Sequence, residues 1–116
     1  MIIQFRGIRT DNNEFIHGDL NHNGTDAYGK KIAHGISLNS NYYPSEVYTN
    51  TIGQFTGKKD INGKDVYVGD KSKDGGVIEW YQDTCQFVIK LPGVEVQELK
   101  DCEKWLEVVG TIHDKD

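Results

Sequence analysis

No segment of this chain keeps apolar residues at a 3.6-residue period for long; short β-prone runs are instead cut repeatedly by Gly, Asn and Asp. An amphipathic helix needs an unbroken apolar stripe, whereas a half-buried strand needs only about four to eight alternating residues. The chain therefore reads as mainly β. Strands are expected near 2–9, 13–20, 31–38, 46–55, 64–69, 76–82, 85–91, 94–97 and 106–113. One stretch, "ELKDCEKWLE", spaces Leu99, Cys102 and Trp105 or Leu106 to suit two or three helical turns at most.

The connections follow from turn chemistry. Asp11-Asn12-Asn13 joins the first two runs as a hairpin, and Asp83 with Thr84 does the same between "WYQ" and "CQF". Asn62-Gly63 is the preferred pair for a two-residue type I′ turn, in which both residues take positive φ. "NHNGTDAYG", residues 21–29, and "LNSNYYPSE" read as loops, with Pro44 barred from a central strand. At 116 residues the chain is expected to be a single domain, residues 1–116. It should comprise an N-terminal β-part over about 1–57 and a C-terminal β-part over about 58–116. A domain of this size buries roughly 60–70% of its unfolded surface, so stability requires no metal or disulfide staple.

Cys85 and Cys102 show neither CxxC spacing nor a nearby His cluster, and read as small buried or half-buried apolar residues. The opening "MIIQFRGIRTD" has its arginines after a short apolar run, unlike a signal peptide, and no run reaches the roughly 20 apolar residues of a membrane span. A cytoplasmic protein is expected. The net charge of −5 divides into −1 over residues 1–57, +2 over 58–73 and −6 over 74–116. An acidic chain is a poor general binder of the phosphate backbone, so any nucleic-acid contact belongs to the segment bearing Lys58, Lys59, Lys64, Lys71 and Lys73.

The stretch "QFTGKKDINGKDVYVGD", residues 54–70, invites a metal or phosphate reading and supports neither. As a calcium loop it puts Asp60 and Asn62 at ligand positions, but Lys64 at the fifth and Lys71 at the twelfth oppose a cation. As a phosphate loop it follows Gly63-Lys64 with Asp65, whose carboxylate would repel the phosphate, and no helix pattern follows. The stretch is read as a turn and strand junction, with Asp70 accepting backbone N–H bonds after the bend at Gly69. His17, His22, His34 and His113 lie in four segments without ligand spacing, and no serine sits in a nucleophile elbow. The carboxylates of the C-terminal half, among them Glu79, Asp83, Glu95 and Glu98, read as a solvated acidic face. No cofactor, metal or catalytic residue is expected. Aromatics offer more: Tyr42 and Tyr43 form an exposed pair in a loop, and alternation sends Trp80 and Tyr81 to opposite faces, one of them core.

Gln54, Phe55, Thr56, Gly57, Asp60, Gly63, Lys64, Asp65, Val66, Tyr67, Gly69 and Asp70 follow in order the signature of the YopX family of phage and prophage proteins. The flanks agree. "FRGIRTDNNEFIHGDL" resembles the family's opening and "EVVGTIHD" its closing strand, so the resemblance spans essentially the whole chain. Lys58 departs from the family's usual Leu, and Ser72 from its usual apolar residue. The resemblance implies a largely β protein whose C-terminal part is similar to a small SH3-like barrel packed with an N-terminal β-subdomain. It implies an origin in phages, prophages or mobile elements, and brings no agreed catalytic residues.

The expected function is that of a non-enzymatic module binding another macromolecule, with a protein partner or self-association favoured. The candidate contact residues are Tyr42, Tyr43, Trp80, Lys58, Lys59, Lys64 and Lys71, while Gln54, Phe55, Thr56, Gly57, Asp60, Asn62, Gly63, Gly69 and Asp70 form the structural motif. The rival readings are a nucleic-acid-binding β-barrel using residues 58–73, with aromatics stacking on bases, and an enzyme whose site is assembled across the two β-parts.

Overall fold

A computed structural model describes residues 3–38, 42–93 and 96–114. Among these the secondary structure is strand and 3₁₀ turn with no α-helix, and every strand pairing is antiparallel. The chain divides into two compact units, Met1–Gln54 and Phe55–Asp116. The expected strand starts at Ile2 and Val94, together with Glu95, lie outside the described residues.

The first unit holds β1 (Phe5–Ile8), β2 (Phe15–Thr25), β3 (Lys31–Ser37) and β4 (Ser45–Glu46), paired in the order β4-β3-β2-β1. The first two residues of β5 (Gly53–Lys59) lie beside Arg6 and Phe5 of β1. The β1–β2 hairpin turns at Asp11-Asn12-Asn13 as expected: Arg9 N–H donates to Glu14 O, and Asn13 takes the left-handed conformation at φ 58°. Ile32, Ile36 and Val47 are buried in this unit. Gly7 lets Val47 and Ile36 approach, because a Cβ there would lie 3.1 Å from Val47. The buried Arg6 guanidinium lies 4.7 Å from the centre of the Phe15 ring, a cation–π contact.

Two expectations fail here. β2 runs on to Thr25, so residues 21–25 of the expected loop are strand, and the turn is confined to residues 26–29. The expected strand 46–55 is broken by a 3₁₀ turn at Thr49–Thr51. Thr51 Oγ1 donates to Tyr48 O at 2.6 Å and accepts from Ile8 N–H at 2.9 Å, giving the backbone an alternative to a ladder despite its β-branched composition.

The second unit contains the rest of β5, then β6 (Asp65–Tyr67), β7 (Asp70–Ser72), β8 (Val77–Tyr81), β9 (Gln86–Lys90), β10 (Val96–Glu98) and β11 (Val108–Thr111). Five of these form a sheet in the order β10-β9-β8-β7-β11, open between β10 and β11 among the described residues. Val66, Ile78, Ile89, Leu99, Cys102, Leu106 and Val108 make its core. Each large aliphatic side chain buried there contributes about 1.5–3 kcal/mol relative to exposure. The expected two or three helical turns reduce to one 3₁₀ turn at Cys102–Lys104, which brings Leu99, Cys102 and Leu106 onto that core and leaves Trp105 at 39% exposure. Cys85 is exposed, contrary to expectation, because it is the left-handed corner of the β8–β9 turn at φ 50°.

Candidate interaction surface

The stretch 54–70 is built around two buried aspartates. Asp60 Oδ1 accepts from Asn62 N–H at 2.9 Å and Lys64 N–H at 2.8 Å, while Oδ2 accepts from Val108 N–H at 3.0 Å on β11. Burial pushes its carboxyl up, but the N–H groups of Val108, Lys64 and Asn62, aided by the Lys64 charge, hold it below the usual carboxylate range. The loop is not the expected type I′ turn. Gly63 has φ 79° and Asn62 a negative φ, while Asp60 N–H donates to Lys64 O, which makes a three-residue loop closed by a left-handed glycine. Thr56 Oγ1 donates to Val66 O at 2.8 Å across this hairpin, and Phe55 and Tyr67 face each other with ring centres 5.4 Å apart. Asp70, fully buried, accepts from Tyr67 N–H at 2.8 Å around Gly69 at φ 95°. Gln54 closes the first unit on β5, and Gly57 is an exposed left-handed residue at φ 82° where the β5–β6 register shifts. From Phe55 to Asp70 these residues shape the β5–β6 hairpin and the bend into β7.

Around this hairpin Lys58, Lys59 and Lys64 are exposed, and Lys71 is exposed on β7. Lys59 is held by Asp65 at 2.7 Å and Lys73 lies 3.8 Å from Glu107, so two cations of the segment already have carboxylates. Trp80 is 47% exposed on β8, packs edge-on against Phe87 at 4.9 Å and donates its indole N–H to Gln82 Oε1. Neither Trp80 nor Tyr81 is core, contrary to the alternation argument; Ile78 fills that place and Trp80 continues its face beyond the packed end.

In the first unit Tyr43 borders a groove of about 350 Å³ whose walls include Tyr28, Pro44, Arg9, Lys30 and Glu46. Tyr28 is 96% exposed at the β2–β3 turn, where Asp26 Oδ1 accepts its N–H and that of Lys30, both at 2.9 Å. Pro44 fits over Gly24 and Gly35, at both of which an added Cβ would crowd its ring. The walls are tied by ion pairs, Arg9 to Asp11 at 2.7 Å and Lys30 to Glu46 at 3.0 Å. Lys30 and the Thr10 hydroxyl hold the Glu46 carboxyl below its usual range, and Arg9 does the same for Asp11. Tyr42, also exposed, is not among the lining residues. Tyr28 carries no sequence signal of its own; as one residue of a polar loop it becomes a candidate only through the turn that presents it.

Pairing of β2 with β3 sets His22 opposite His34, with ring centres 4.9 Å apart. Among the described residues no three of the His, Cys, Asp and Glu side chains gather as a metal-binding group, and no helix is long and apolar enough to cross a membrane.

A family model described as "YopX protein" matches residues 4–116. No curated protein and no solved structure matches the chain.

Proposed function

The chain belongs to the YopX family, and from that premise we propose that it is a non-enzymatic phage or prophage accessory protein that works in the cytoplasm by binding another protein. The phage setting comes from the family alone. The observation that carries the binding reading is the groove of the first unit, where Tyr28 and Tyr43 stand at 96% and 68% exposure beside Pro44. Tyrosine presents a large rigid surface at low entropic cost and is enriched at interfaces. Tyr28, on a turn pinned by Asp26, and Tyr43, next to the Pro44 packed over Gly24 and Gly35, are partly pre-ordered for contact. The second unit is read as SH3-like; its support is a meander, β7-β8-β9-β10, after which a 3₁₀ turn leads into β11 beside β7.

The test is affinity capture from host lysate by the full chain and by a Tyr28→Ala/Tyr43→Ala variant, with light scattering on both. A partner, or a second copy, retained by the parent and lost at least tenfold by the variant supports the reading. A strict monomer that captures nothing above background, or equal capture by both chains, ends it. Both side chains are exposed, so the substitutions should leave stability within about 0.5 kcal/mol.

A second reading is nucleic-acid binding through Lys58, Lys59, Lys64 and Lys71 with Trp80 as a stacking platform, favoured by their exposure in the second unit. It fails if no gel shift appears on single- or double-stranded DNA or RNA at low salt.

A further inference from the structure

We propose that His22 and His34 form a two-imidazole site for a borderline divalent transition metal such as Ni²⁺, Cu²⁺ or Zn²⁺. The two residues are direct cross-strand partners on β2 and β3, flanked on the same strip by the pairs Leu20/Ile36 and Gly24/Ile32. The pleat therefore points both rings to one face of the sheet. Their ring centres lie 4.9 Å apart with the planes at 79°. A metal bound at about 2.0–2.1 Å from each imidazole nitrogen sits about 3.2 Å from each ring centre. Two centres 4.9 Å apart then subtend about 100° at the metal, between square-planar and tetrahedral angles. With a nitrogen of each ring turned toward a common centre, this spacing accommodates two cis ligands on one ion.

His34 Nδ1 lies 3.0 Å from Thr49 Oγ1 on the 3₁₀ turn. When Nδ1–H donates to that hydroxyl, the Nε2 lone pair is left for a metal, which is how ligating histidines are held by their outer partners. Imidazole pairs select Ni²⁺, Cu²⁺ and Zn²⁺ over the oxygen-seeking Ca²⁺ and Mg²⁺. No third protein ligand joins the pair among the described residues, so the other coordination positions belong to water.

The test titrates Ni²⁺ alone and Zn²⁺ alone into the full chain carrying Cys85→Ser, which removes the exposed thiol, using calorimetry and the imidazole NMR resonances. One ion per chain is expected, with the His22 and His34 resonances perturbed and the melting temperature raised. His22→Gln and His34→Gln should each weaken binding at least tenfold, while His17→Gln and His113→Gln leave it unchanged. Absence of saturable binding, or full retention by His22→Gln, overturns the proposal and leaves an edge-to-face aromatic contact. His22 is exposed, so its variant decides the matter even if His34→Gln folds poorly.

Discussion

Asp60 is the residue on which the second unit depends most visibly. It is 2% exposed, and its two oxygens accept three backbone N–H groups, one of them from Val108 on β11, 48 positions along the chain. Removing the carboxylate orphans those donors in a buried place, so Asp60→Ala should cost about 2–4 kcal/mol in urea unfolding. Lys64→Ala, at an exposed position, should cost less than about 0.5 kcal/mol. The pH dependence has a definite sign. The folded carboxyl is held below its unfolded value of about 3.9. Its stabilisation is therefore complete above that value and is lost as pH falls through the lower folded one. Asp60→Asn should flatten this acid limb of the stability profile. The two thiols differ in accessibility. Burial raises the Cys102 thiol above its ordinary range and its Sγ lies 3.3 Å from Lys59 O, whereas Cys85 is exposed. Iodoacetamide should label Cys85 in the native chain and Cys102 only after unfolding, read by mass spectrometry.

Three hairpin turns share one device. At Asp26–Lys30, Asp60–Lys64 and Ser72–Gly76, the side-chain oxygen of the first residue accepts the N–H of the fifth, and the fourth is a left-handed glycine, at φ 83°, 79° and 86°. The first backbone N–H also donates to the fifth carbonyl in each. Gly63→Ala meets no neighbouring atom, so its cost is conformational alone and should be about 1–2 kcal/mol, read from the unfolding midpoint. Gly18→Ala should do far more harm, because a Cβ there collides with the Ser37 carbonyl where β2 meets β3. The turns were legible in the sequence as Asp, Asn and Gly between β-prone runs, although the type at Asn62-Gly63 was not, because Asp60 can anchor a three-residue loop as readily as two left-handed residues can close a tighter one. The far end of β2 was hidden for another reason. "NHNGT" carries no apolar alternation, and its pairing with β3 shows only once the register is known. The His22–His34 pair and the Tyr28–Tyr43 groove were hidden for the same reason, since each joins residues whose proximity depends on the β2–β3 and β3–β4 pairings.

For the molecule as a whole, charge separates the two functional readings. At −5 overall the chain gains no long-range attraction to phosphate, and the +2 of residues 58–73 is partly spent internally on the Lys59–Asp65 and Lys73–Glu107 pairs. Lys58, Lys64 and Lys71 could neutralise about three phosphates, which predicts a log–log salt slope of about −2 to −3 and a loss of affinity of roughly two to three orders of magnitude over a tenfold rise in salt. Binding through Tyr28, Tyr43 and Pro44 would draw on apolar contact, which salt does not screen, and the ion pairs along that groove are already satisfied within the unit. Raising salt from about 0.05 to 0.5 M should then change capture of a protein partner by less than about threefold. Capture that collapses over that range, and that Lys58→Ala/Lys64→Ala/Lys71→Ala abolishes while Tyr28→Ala/Tyr43→Ala does not, would transfer the function from the groove to the exposed lysines of residues 58–73.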